Sequence, residues 1–214
     1  MNKCFIITAF INGSIKDSLN ITQNDYIICA DGGYKFATQE KIIPNLLLGD
    51  FDSFKDSLPQ DIQTIIYPVE KDDTDTMLCV KYAVEKGFND ICLVGGMGGR
   101  LDHTISNLQS MAWAIEFWNT NHLKGKKISM SDCQNHVMLI MDDFIIISGT
   151  PGEKISLLSY SENCINVTTK NLKWELTDAL LTNSFPLGIS NEFLTSECEV
   201  SVEKGQLLII RAKD

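Results

Sequence analysis

Three short segments hold most of the chemistry-bearing residues of this chain. They are Gly49-Asp50-Phe51-Asp52-Ser53, Lys71-Asp72-Asp73-Thr74-Asp75, and Gly95-Gly96-Met97-Gly98-Gly99-Arg100-Leu101-Asp102-His103. Carboxylates give a hard cation such as Mg²⁺ the oxygen ligands it prefers. Backbone amides exposed by glycine, together with a guanidinium, bind phosphate oxygens. Two carboxylate clusters beside an arginine-tipped glycine loop are what a protein needs to hold Mg²⁺ and a polyphosphate together. The chemistry they point to is phosphoryl or pyrophosphoryl transfer.

Each segment also has a plainer reading. Asp50 and Asp52 follow the apolar run Leu46-Leu47-Leu48 through Gly49. On an extended segment alternate residues point the same way, so the two carboxylates could share a metal while Phe51 turns inward; Asp52-Ser53 could equally be ordinary turn residues. Asp72, Asp73 and Asp75 precede a helical pattern, where acidic side chains complement the helix dipole. Three carboxylates within four residues exceed what capping requires, and they repel unless a cation or Lys71 neutralises them. The glycine loop follows one apolar run and precedes a helix, the setting in which such loops hold phosphates. It is neither a Walker loop nor the dinucleotide fingerprint. Asp31-Gly32-Gly33 adds a further carboxylate after the run Tyr26–Ala30.

The elements that must position these residues alternate up to about residue 130. Cys4–Phe10, Tyr26–Ala30, Leu46–Leu48, Thr64–Tyr67, Ile91–Val94 and Ile128–Met130 read as strands. Thr74–Lys86 and Asp102–Asn119 carry helical periodicity, with Met77, Val80 and Val84 on one face of the first. Ile105, Leu108, Ala112 and Ile115 share a face of the second, and Gly87 is placed to end the first helix. This alternation predicts an α/β domain with a mostly parallel sheet. Beyond about residue 135 the helical period disappears. Val137–Met141, Phe144–Ser148, Ile155–Ser159, Ile165–Thr168, Lys173–Leu176, Cys198–Val202 and Leu207–Arg211 read as short strands separated by turn residues, the pattern of an all-β sandwich. The domains expected are 1–135 and 136–214. Trp174 alternates as a strand residue should, and its ordinary reading is a sandwich-core tryptophan. Ser190-Asn191 reads as a polar turn after Pro186-Leu187-Gly188.

The whole-chain numbers narrow the partners. A formal net charge of −10 over 214 residues, with no basic run, argues against nucleic acid. The seven cysteines (Cys4, Cys29, Cys79, Cys92, Cys133, Cys164 and Cys198) are scattered through apolar runs without a Cys-x-x-Cys pair, and histidines number only three. That usage suggests reduced thiols in a cytoplasmic protein rather than a zinc site. The apolar N-terminal run is too short for a membrane span.

In family order, the chain presents Ala30-Asp31-Gly32-Gly33, Pro44, Gly49–Ser53, Lys71–Asp75, Gly98–His103 with Asn107, Gln134-Asn135, Leu172-Lys173-Trp174-Glu175-Leu176 and Ser190-Asn191. This ordered set resembles the thiamine pyrophosphokinase family. The resemblance implies transfer of the β,γ-diphosphate of ATP to the hydroxyethyl group of thiamine, giving thiamine diphosphate and AMP. It implies that Asp50, Asp52 and Asp75 hold Mg²⁺ and, with Arg100, form the catalytic set. Asp31, Gly32, Lys71, Asp72, Gly98, Gly99, Arg100 and Asp102 would contact ATP. Trp174, Ser190 and Asn191, with Asp102, His103 and Asn107, would contact thiamine, bound between the subunits of a homodimer. Gly96 and Asn171 stand where the family often has Ala and Gly. Asn is the non-glycine residue most tolerant of a left-handed backbone. The rival readings are another Mg²⁺-dependent diphosphotransferase or nucleotide hydrolase, and a non-catalytic sensor of thiamine or nucleotide.

Overall fold

Apolar runs with almost no polar alternation, at residues 4–7, 26–30, 46–49 and 90–94, form the centre of the sheet of the N-terminal unit, as parallel strands buried on both faces require. The computed structural model describes residues 3–18, 21–52 and 58–213, and it divides into two units, Met1–Cys133 and Gln134–Asp214. In the first, β1 (Cys4–Ile7), α1 (Ile15–Ser18), β2 (Tyr26–Ala30), α2 (Gly33–Gln39), β3 (Leu46–Gly49), β4 (Gln63–Ile66), α3 (Asp75–Glu85), β5 (Asp90–Val94), α4 (Leu101–Thr120) and β6 (Lys127–Ser131) follow one another. Every strand pairing within the unit is parallel, in the order β6-β5-β1-β2-β3-β4. The first strand stops at Ile7 rather than Phe10, and α2, short and opened by glycine, has no counterpart in the sequence reading.

Local chemistry sets the bounds of α3. The Thr74 hydroxyl accepts from the Met77 amide at 3.2 Å, capping the N-terminus. Gly87, at φ 81°, ends the helix: its amide reaches Val84 O at 3.0 Å and that of Phe88 reaches Ala83 O at 3.2 Å, a Schellman closure. The buried face of α4 is Asn107, Ser110, Met111, Ala114 and Trp118, with Ala112 and Ile115 at its margin; Ile105 is exposed, contrary to the face expected for it.

The second unit contains β7 (Asn135–Met141), β8 (Phe144–Ser148), β9 (Lys154–Ser159), β10 (Asn163–Lys170), β11 (Ala179–Thr182), β12 (Gly188–Glu192), β13 (Glu197–Ser201) and β14 (Gln206–Ala212). They form two antiparallel sheets, β12-β9-β14-β7 and β11-β10-β13-β8. Their inner faces share one core containing Ile147, Leu157, Val167, Phe193, Val200 and Ile209. Residues 173–176 are not a strand. Asn171 and Asp178 take positive φ (63° and 48°) on either side, so the run is turned rather than extended. Ser190-Asn191 lies within β12 and not in a turn.

All seven cysteines are free, and burial pushes the thiols of Cys4, Cys29, Cys79 and Cys92 up. No helix among the described residues is long and apolar enough to cross a membrane.

The two glycines after Asp31 do different work. A Cβ on Gly33 would lie 2.2 Å from the Ile7 carbonyl oxygen, a backbone atom that cannot retreat, whereas one on Gly32 would meet nothing closer than 3.5 Å. Gly33→Ala is therefore expected to cost about 1–3 kcal/mol through overpacking of α2 against the end of β1. Gly32→Ala should cost less than about 1 kcal/mol, the scale of a weak helix-start effect. Urea denaturation of the two variants checks the difference; equal midpoints would contradict the packing.

Candidate functional site

The carboxylates gather because β2, β3 and the start of α3 meet at the carboxyl edge of the parallel sheet, where open α/β sheets bind ligands. The Asp31 amide donates to Leu48 O at 2.9 Å, which locks the end of β2 to β3. A side chain on Gly49 would approach Asp31 Cα to 3.0 Å, so glycine there lets the two strand ends close up. Asp31 itself adopts φ 43° and swings its side chain over the edge. One carboxylate oxygen from each of Asp31, Asp50 and Asp75 lies within 4.8 Å of the other two. Oxygens on opposite sides of an octahedral Mg²⁺ stand about 4.2 Å apart. The trio is therefore near the size of one small divalent cation.

Lys71 completes the cluster. Its Nζ donates to Asp50 Oδ2 at 2.7 Å and stands 3.1 Å from Asp75 Oδ1. Asp75 Oδ1 is nonetheless the buried side-chain oxygen, among the described residues, without a hydrogen bond of proper geometry. Three carboxylates against one ammonium leave two negative charges uncompensated. An underused buried oxygen and an excess of negative charge fit a hard divalent cation.

The electrostatics separate the members. The Lys71 hydrogen bond holds Asp50 below its ordinary pKa. Burial, then the charges of Asp75, Asp50 and Asp52, push Asp31 up. Burial opposes the charge of Lys71, but its hydrogen bond to Asp50 and the nearby negative charge of Asp75 outweigh that and raise its pKa.

Asp52 is not in the trio. Phe51 is buried as expected, but at φ 53°, so the segment is turned rather than extended. Asp52 is carried to an exposed position, where its amide donates to Asp50 Oδ1 at 3.3 Å. Ser53 lies outside the described residues. Asp73 is occupied by Lys81, with both carboxylate oxygens within 2.8 Å of the ammonium, and Asp72 is exposed.

The glycine loop leaves β5 with Gly95, Gly96, Gly98 and Gly99 all at positive φ. Asn107, buried on α4, donates to Gly96 O at 2.9 Å and so braces this loop from beneath. Gly98, Gly99, Arg100, Asp102 and His103 are exposed. Arg100 is the N-cap residue of α4 and supplies no side-chain cap. Its guanidinium forms a forked pair with Asp102 (Nε–Oδ1 3.1 Å, 2.6 Å to Oδ2), which raises the Arg100 pKa and lowers that of Asp102. Asp102 Oδ1 also takes the His103 amide at 3.0 Å. An exposed guanidinium pre-aimed by a carboxylate, above a turn with glycine-exposed backbone, is suited to phosphate oxygens.

In the second unit, Trp174 is 54% exposed, which removes it from the sandwich core. Asn191 is buried and grips the Trp174 main chain from both sides: Oδ1 accepts its amide at 3.0 Å and Nδ2 donates to its carbonyl at 2.6 Å. A register shift in β12 and φ 58° at Ser190 turn Asn191 inward and leave Ser190 exposed, with its amide donating to Ser156 Oγ at 3.0 Å. Lys173 Nζ lies 4.6 Å from the centre of the Trp174 ring and 2.9 Å from Glu192 Oε2. The tryptophan face thus already attracts a cation.

Sequence reasoning placed Asp31 among nucleotide contacts and missed its part in the trio; the signal was Gly49, whose missing side chain admits it.

Residues 18–122 match the family model for the thiamin pyrophosphokinase catalytic domain, and residues 144–207 that for the thiamin pyrophosphokinase vitamin B1 binding domain. The thiamine pyrophosphokinase of Bacillus subtilis (strain 168) is 32% identical over 179 residues, covering 81% of this chain and 80% of that one. A crystal structure of thiamine pyrophosphokinase from Bacillus subtilis superimposes with a TM-score of 0.83 at 26% identity, over the whole of both chains. That of the thiamin pyrophosphokinase from Geobacillus thermodenitrificans has the same fold, with a TM-score of 0.80 at 24% identity over 99% of this chain and 98% of that one. On the strength of both domain matches and the long alignment to the Bacillus subtilis protein, this chain belongs to the thiamine pyrophosphokinase family.

Proposed function

We propose that this protein is a thiamine pyrophosphokinase that transfers the β,γ-diphosphate of ATP to the hydroxyethyl oxygen of thiamine, releasing AMP. The observation that carries this reading is the Asp31–Asp50–Asp75 cluster at the same sheet edge as an arginine-tipped glycine loop, in a chain of this family. Asp50 and Asp75 would hold Mg²⁺, with Asp31 added by its position in the trio; Asp52, which stands outside the trio, would have to reach the ion from its exposed position. Bound there, Mg²⁺ would neutralise charge on the phosphate oxygens.

The chain's own residues do the rest. Lys71 and the Gly98–Gly99 backbone bind polyphosphate oxygens, with Gly32, Asp72 and Asp102 at the rim. Arg100 stabilises the charge that grows as the thiamine hydroxyl oxygen attacks the β-phosphorus, an aspartate of the cluster takes the hydroxyl proton, and AMP departs. Holding the two substrates in line supplies much of the remaining rate. The N-terminal unit binds ATP and Mg²⁺ in this scheme, and the C-terminal unit thiamine. Trp174 would pack on the cationic ring of thiamine, with Asn191 fixing its backbone, Ser190 beside it, and Asp102, His103 and Asn107 near the acceptor. The working form is a homodimer with thiamine between subunits. The scattered free cysteines fit a reducing, cytoplasmic setting.

Incubation with ATP, Mg²⁺ and thiamine should yield AMP and thiamine diphosphate in equal amounts. ADP with thiamine monophosphate, or ATP hydrolysis indifferent to thiamine, would overturn the assignment. Asp50→Asn, Asp52→Asn and Asp75→Asn should each lower turnover on the order of 100-fold or more while leaving the fold intact, since each removes anionic oxygen from a charge-stabilising site. Asp31→Asn should join them, and near-normal turnover in Asp50→Asn and Asp75→Asn at saturating Mg²⁺ would remove the metal assignment.

Arg100→Ala is expected to reduce kcat by about 10²–10³, more than it raises the KM for ATP, because its contact strengthens in the transition state. A change confined to KM would make Arg100 a ground-state anchor only. For the shared site, Trp174→Ala and Asp50→Asn homodimers should each be nearly inactive, and mixing them should restore activity as heterodimers form with one intact site. Verified exchange without recovery would mean that each site is built within one chain.

A further inference from the structure

The segment Thr8-Ala9-Phe10, which leaves β1, carries no recognised motif, yet it runs between the two halves of the site. β1 is the strand at which the sheet order reverses, with β2 on one side and β5 then β6 on the other. The crevice at the carboxyl ends of such strands is where open α/β sheets bind ligands. On the carboxylate side, Ala9 Cβ lies 3.5 Å from where a Gly32 side chain would begin. On the loop side, Phe10 O accepts the Gly96 amide at 2.7 Å. The buried Thr8 hydroxyl lies within donating distance of Phe10 O (3.1 Å) and Val94 O (2.9 Å), tying the segment to the end of β5.

The Phe10 ring packs against the glycine turn itself. A Cβ on Gly99 would fall 2.8, 3.0 and 3.3 Å from ring atoms Cε2, Cδ2 and Cζ, and one on Gly98 would fall 3.2 Å from Cε1. Both glycines also need positive φ, 87° and 61°. Phe10 remains 41% exposed, so core burial is a poor account of its position. Two adjacent glycines have the greatest backbone freedom of any pair, and holding them in one geometry requires an outside surface.

We infer that Phe10 is a positioning residue: its ring props the Gly98–Gly99 turn from one side and so fixes where Arg100 meets the phosphates. The activity arm of the test rests on the proposed diphosphotransfer; the stability arm does not. Phe10→Ala should lower kcat about 10-fold with less than about a 3-fold change in the KM for ATP, the pattern of a misplaced transition-state contact. Phe10→Tyr, which keeps the flat ring, should recover to within about 3-fold of the parent. On an Arg100→Ala background Phe10→Ala should add little, because both act through one group. A loss falling mainly on the KM for ATP or thiamine, or one that multiplies fully with Arg100→Ala, would overturn the inference and make the ring a direct substrate contact.

In the stability arm, Gly99→Ala should lower the melting temperature, and the drop should shrink by about half on a Phe10→Ala background as the steric part is relieved. Equal drops in both backgrounds would show that Phe10 does not hold the turn, whatever reaction the protein performs. A reduced drop in a protein without diphosphotransferase activity would leave the brace standing and remove only the proposed reaction. Should Phe10→Ala fail to fold, Phe10→Leu, with apolar bulk but no ring, takes its place in both arms under the same expectations.

Discussion

Like charges at a sheet edge repel, and everything at the carboxyl end of the N-terminal sheet is arranged around that repulsion. Three carboxylates are held within reach of one another by backbone that is already committed: a hydrogen bond from Asp31 to Leu48 O, the end of β3, and the capped first turn of α3. Such crowding is tolerable only with a cation present. Lys71 supplies one charge from within the chain, leaving the balance to a divalent ion. The fold thus keeps the donors close at a cost in electrostatic energy that a ligand relieves, the general form of a preorganised site.

The same economy of space governs the glycines. Gly49 admits Asp31, Gly33 admits α2 against Ile7, and Gly98 and Gly99 admit the Phe10 ring. In each place the absent side chain is filled by a neighbour. These glycines are contact residues, and only the loop glycines also need the left-handed backbone.

Much of the architecture was legible in the sequence. Apolar runs marked the parallel strands, and Thr74 and Gly87 bounded α3 within a residue. The short α2, opened by glycine, had too little periodicity to register, and β11 and β12 were hidden by their brevity, by Pro186 between them and by Gly188 at the start of β12. Lys173–Leu176 alternated like a strand, but the positive φ of Asn171 and Asp178 is a property of the folded turn that no alternation pattern reports. The candidate carboxylates were visible by type, whereas membership of the trio depended on register: Ala30 pairs with Leu48, which sets Asp31 beside Gly49. Asn107 and Asn191 were noted as possible ligand contacts. Where their amides go, to Gly96 and to the Trp174 backbone, becomes visible only once the chain is closed.

That last arrangement separates two jobs usually done by one residue. Asn191 holds position 174 through its main-chain amide and carbonyl alone, so the loop is anchored whatever side chain it displays. The indole is mounted on the fold without being part of its core. A lineage could therefore exchange this ring for another and change what the surface recognises while the sandwich beneath stays as it is, and specificity at this position can drift at little risk to folding.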